Sequence, residues 1–171
     1  MGQIGETVLE KDIYFDKYKG SVWPKLVDLE PYFLAQKGKE WFYSGGNDGA
    51  VLQVFGVDGT DKLEEGKGRI DVRLFLTGNP DHGVMLDYHK AGGEKREDYS
   101  SKGDLKRLKE WVRTLHDDPM PIGLFIPFAE AWKAVKEFIE TEGALPKSIE
   151  WINNNDLPDN TFPDPWFDEN A

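Results

Sequence analysis

A chain of 171 residues with 39% hydrophobic and 13% aromatic side chains carries enough apolar surface for one core, and one domain is the default. Its 32 acidic residues outnumber 21 basic ones to leave a net charge of -11, which disfavours direct binding of nucleic acid or anionic membranes and speeds encounter with a basic protein. The lack of cysteine rules out disulfides, thiolate metal sites and cysteine nucleophiles, and no segment approaches the roughly 20 apolar residues of a membrane span.

The N-terminal stretch mixes Glu6, Glu10, Lys11 and Asp12 with apolar residues, so no secretory signal is drawn there and a cytoplasmic protein is expected. Over 25–36, Leu26, Leu29, Phe33 and Leu34 recur at helical spacing. Pro31 suits a first turn better than a helix middle, which predicts a short or broken helix. Trp41, Phe42 and Tyr43, the turn-rich 44–49 and the β-branched run 50–57 read as a hairpin. After a polar, glycine-punctuated loop at 58–68, Ile70, Val72, Leu74 and Leu76 alternate with Asp71, Arg73 and Phe75 as in a half-buried strand. Turn residues at 78–81 lead into a second alternating run, Val84, Leu86 and Tyr88, which ends at Gly92 and Gly93. The centre is thus an antiparallel meander, and its polar alternate positions need be no more than the wet face such sheets often have.

Leu105, Leu108, Val112 and Leu115 fit a helix while 110–115 also fits a strand, and periodicity leaves both open. Over 127–142 the stripe Phe128, Trp132, Val135, Phe138 and Ile139 predicts an amphipathic helix, with Pro127 at its start and Gly143 at C′. A short strand at 148–152 follows, then an irregular acidic and aromatic tail at 153–171. The order predicts a single α+β domain over 1–152, an antiparallel β-sheet meander with helices packed on one face.

His82, His89 and His116 fall in or beside turns, and none is paired by spacing with another, as solvent-exposed or capping histidines are. Asp58, Asp61, Glu64 and Glu65 share one loop, but their spacing does not match a calcium loop, and a solvated acidic loop is the plainer reading. The glycines of 44–49 lack the Lys-Ser/Thr pair and the following helix of a phosphate cradle. Ser100 and Ser101 lack the glycine flanks of a nucleophile turn. No catalytic residue, metal site or cofactor is expected. Trp111, Trp132, Phe138 and Trp151 sit where they would face the core. Phe162, Trp166 and Phe167 lie among acids with no periodic element to bury them, so they either dock on the domain or supply anchors to a partner.

One stretch carries more than its physics. The run Gly123-Leu124-Phe125-Ile126-Pro127-Phe128, then Ala131 and Ala134 up to Phe138-Ile139, Thr141-Glu142-Gly143, Leu145-Pro146 and Ile149-Glu150-Trp151 resembles the "immunity protein one" family of bacterial polymorphic-toxin systems. Upstream, Val84 to Tyr88 and then Tyr99-Ser100-Ser101 and Gly103-Asp104 are similar to that family's central strand and its return. The resemblance covers about 41–152, with 1–40 and the tail outside it. It implies a non-enzymatic inhibitor that binds a cognate toxin domain and blocks its active site. Such toxins are often nucleases or nucleic-acid deaminases, whose positive grooves an acidic protein can fill. No family motif assigns the binding face. On physical grounds the acidic loops 58–65 and 94–99 would contribute it, through Asp58, Asp61, Glu64, Glu65, Glu97, Asp98 and Tyr99, with Trp166 and Phe167 from the tail. Two other readings stay open: an interaction or scaffold domain unrelated to toxins, and a metal-dependent hydrolase built on the acidic loop.

Overall fold

The fold is taken from a computed structural model, which describes residues 9–35 and 49–166; the hairpin arm expected at 41–48 lies outside the described residues. The chain opens with β1 (Glu10–Phe15), β2 (Tyr18–Gly20) and α1 (Leu26–Leu34). The meander follows as β3 (Gly49–Val57), β4 (Ile70–Asn79), β5 (Gly83–Gly92) and β6 (Lys95–Ser101). Then come the short strands β7 (Trp111–Arg113), β8 (Pro119–Pro121) and β9 (Phe125–Ile126), the helix α2 (Phe128–Glu140) and β10 (Trp151–Asn153). The main sheet is antiparallel, in the order β10-β6-β5-β4-β3-β1-β2, with β9 paired to β5; β7 and β8 form a separate ladder.

Strand alternation sorts side chains between the two faces. Ile13 and Phe15 of β1, Leu52 and Val54 of β3, Val72, Leu74 and Leu76 of β4, and Val84, Leu86 and Tyr88 of β5 are all buried on one face. Both helices pack on that face, as the pattern predicts. Helix α1 buries Leu29, Tyr32 and Phe33, and α2 buries Phe128, Trp132, Val135 and Phe138. Phe33 and Trp132 meet with ring centroids 5.3 Å apart, and Tyr88 meets Phe138 edge-on at 6.2 Å. Pro31 lies inside α1, a helix of nine residues, so of the short or broken helix expected it is the short one that forms. The carbonyl that the missing N–H would have bonded belongs to Val27, which is exposed, so solvent can reach it.

A second, smaller core lies on the opposite face, where Met85, Leu108, Leu124 and Phe125 are buried with Val112, Met120 and Ile152 against them. It resolves 105–115 as neither one helix nor one strand: Leu105–Arg107 is a 3-10 turn and Trp111–Arg113 pairs with β8. The turns crowd so closely that a side chain on Gly123 would come within 2.6 Å of the Asp104 carbonyl oxygen. The end of α2 differs from expectation by one residue. Glu142, at φ +53°, occupies C′, and Gly143 is C″. Gly143 N–H bonds Phe138 O at 3.0 Å and Glu142 N–H bonds Ile139 O at 3.3 Å, the two bonds of a Schellman cap.

Candidate protein-binding surfaces

The loop between β3 and β4 is tied down by Thr60, whose hydroxyl donates to Val57 O at 2.7 Å and accepts the Ile70 N–H at 2.8 Å. Its acids are largely partnered: Asp58 pairs with Lys90 at 2.7 Å, Glu64 with Lys67 at 3.2 Å and Glu65 with Arg69 at 3.6 Å. Asp61, half-buried, has its Cα against Gly56, where an added Cβ would approach it to 2.4 Å.

The stretch 94–99, expected as a loop, is a strand from Lys95 on, with a turn around Gly93 and Glu94. The register pairs Lys90 with Glu97, His89 with Asp98 and Tyr88 with Tyr99. Glu97 and Tyr99 therefore lie on the helix side and Asp98 on the opposite face. Tyr99 is half-buried, 6.4 Å from the Tyr88 ring. The Lys-Arg-Glu-Asp run looks like a loop because its charges hide the alternation. Pairs Lys95–Glu97 at 3.6 Å and Arg96–Asp98 at 2.8 Å let it lie in a sheet. Asp58 and Glu97 come together, on a cleft of about 320 Å³ shared with Tyr88, Lys90 and Glu142. Its floor is the Tyr88 hydroxyl, which donates to Gly143 O at 2.7 Å; burial pushes the ionisation of that phenol up.

Among the described residues the sheet face opposite the helices is covered near β9 and β10, and its remainder holds polar alternate positions of the strands. Arg69 holds Asp71 through two bonds of 2.9 and 3.0 Å and lies 5.2 Å over Phe55. Arg73 lies 5.7 Å over the 38% exposed Phe75. His89 Nδ1 is 2.6 Å from Asp98 Oδ1. Desolvation would raise the Asp98 carboxyl, but hydrogen bonds from His89 and Arg96 outweigh it and hold the group below its ordinary value. At neighbouring Asp87 burial wins and raises the carboxyl, although Ser100 donates to it at 2.8 Å. The findable signal was Arg73 and Phe75, an aromatic and an arginine on the outward positions of one strand.

The tail does dock on the domain. Trp111, half-buried rather than in the core, donates from Nε1 to Thr161 O at 3.1 Å. Arg113 Nη1 donates to Pro165 O at 2.8 Å and to Asp117 O at 3.1 Å. Thr161 is buried, with its hydroxyl on Pro158 O at 2.6 Å. Trp166 nevertheless remains 86% exposed and Phe162 44% exposed, while Phe167 lies outside the described residues. Among the described residues no cluster of three or more His, Asp or Glu could hold a metal ion, and no helix is long and apolar enough to cross a membrane.

These features define the class: an α+β domain whose sheet is covered by helices on one face and left half open on the other. The family model described as Immunity protein Imm1 matches residues 44–153, well over half the chain, and the protein belongs to that family of immunity proteins. No curated protein and no solved structure matches it. The matched segment runs to the last residue of β10 and leaves β1, β2, α1 and the tail outside. Membership makes this an immunity protein whose partner is a cognate toxin.

Proposed function

We propose that this immunity protein neutralises a basic toxin domain that acts on nucleic acid, a nuclease or a nucleic-acid deaminase, by filling its positive substrate groove with acidic surface. It works in the cytoplasm as a stoichiometric inhibitor and performs no chemistry of its own. One observation carries the reading, which is where the surplus negative charge lies. Asp58, Glu64, Glu65, Glu97 and Asp98 each stand beside a cation of the same chain, so those loops and β6 are locally near balance. Beyond Lys147 the sequence has no lysine or arginine, yet it carries Glu150, Asp156, Asp159, Asp164, Asp168 and Glu169. A stretch rich in carboxylates and free of lysine and arginine in sequence, beside an exposed tryptophan, suits a groove that stacks bases and neutralises phosphates. The acids at 58–65 contribute by exchanging their partners for the toxin's cations, Glu64 first because its partner Lys67 is exposed.

The test is co-expression with the protein encoded immediately upstream. Expressed alone, that neighbour is expected to stop growth, and this chain is expected to bind it and restore growth. A harmless neighbour that does not bind would replace the reading with that of a scaffold domain.

A further inference from the structure

Over 161–166 the tail is held in a defined place and carries Trp166, the most exposed aromatic among the described residues. Its backbone is fixed at two points by the β7–β8 ladder, through Trp111 on Thr161 and Arg113 on Pro165. A third bond, from the Trp166 backbone N–H to Asp164 Oδ1 at 3.0 Å, closes a turn at the base of the indole. An unattached tail would pay the ordering entropy on binding; a pinned one has paid it on folding. Those bonds hold the backbone, while the Trp166 side chain keeps 86% of its surface in water.

We propose that Trp166 is the anchor by which this protein selects its own toxin, inserting into an apolar pocket of the toxin rimmed by lysine or arginine. The rim follows from charge: in sequence Asp159 and Asp164 precede the tryptophan and Asp168 and Glu169 follow it, four acids against the one cation, Arg113, that the structure sets on Pro165 O at 2.8 Å. Selection follows from position, because the tail lies beyond residue 153, where the match to the shared family domain ends. The domain thus supplies the common scaffold, and the ladder holds a chain-specific finger against it. Tryptophan suits the task, since it is among the residues over-represented at binding hot spots and loses few rotatable bonds when fixed. This inference rests on the neutralisation reading and adds the residue and the pocket chemistry.

The experiment compares full-length wild type with Trp166→Ala, Trp166→Phe and, as a control, Val22→Ala, a residue 82% exposed between β2 and α1. Each is titrated against the purified toxin domain and melted alone. Trp166→Ala is expected to bind about thirtyfold or more weakly at an unchanged melting temperature, Trp166→Phe to recover part of the loss, and Val22→Ala to stay within about twofold of wild type. Binding by Trp166→Ala within about twofold of wild type would overturn the anchor while leaving neutralisation intact. If wild type itself neither binds nor protects, the neutralisation reading falls and the anchor with it.

Discussion

Ser101 is fully buried, and its hydroxyl donates to Leu124 O at 2.6 Å while accepting the Leu86 N–H at 2.9 Å, so one side chain satisfies two buried backbone groups. Ser101→Ala would leave both without partners and is expected to cost about 2 kcal/mol, measured by urea denaturation. Glu137 has the same kind of task at the surface, accepting the Lys147 N–H at 2.7 Å and the Ser148 N–H at 3.0 Å. Desolvation would raise its carboxyl, but those bonds dominate and hold it below the ordinary value. A carboxyl lowered on folding lends stability that is present above the unfolded value of about 4.3 and lost as pH falls through the folded one. Glu137→Gln is therefore expected to cost about 1 kcal/mol at pH 7 and clearly less at pH 3, compared by denaturation at both. Neither role was legible in the sequence. Ser101 read as a failed nucleophile, because nothing in a run of letters shows which distant carbonyl a hydroxyl will meet.

Elements with a strong period were legible. The stripe of α2 and the alternation of β4 and β5 announce themselves because one face of each is apolar without interruption. Strand β6 was missed, since ion pairs rather than apolar residues make its charged half compatible with a sheet. The segment 105–115 was undecidable because a 3-10 turn and a three-residue strand are both shorter than the window that periodicity needs. Close approach is equally hidden. Gly83, at φ +99°, opens β5 where an added Cβ would lie 2.0 Å from the Ile126 carbonyl oxygen, so β5 and β9 meet there only without a side chain. Gly83→Ala is expected to destabilise by about 3 kcal/mol or more, read from its unfolding midpoint.

At the scale of the whole molecule, the net charge of -11 favours a basic partner but does not say where the charge acts. Ion pairs answer part of that: Lys90 of β5 pairs with Asp58 of the loop and Arg96 with Asp98 within β6, whereas the sequence beyond Lys147 carries acids and no lysine or arginine. The candidate surface was correspondingly half visible. Trp166 stood out by composition, whereas the clamp of Trp111 and Arg113 that presents it joins residues some fifty positions apart. The central claim is that this surface occupies the toxin's nucleic-acid groove, and its most direct test is competition. Immobilised toxin is loaded with this protein and exposed to rising concentrations of an uncleavable oligonucleotide. The account predicts displacement, with the apparent affinity of each falling as the other is added; a stable ternary complex of toxin, oligonucleotide and immunity protein would contradict it.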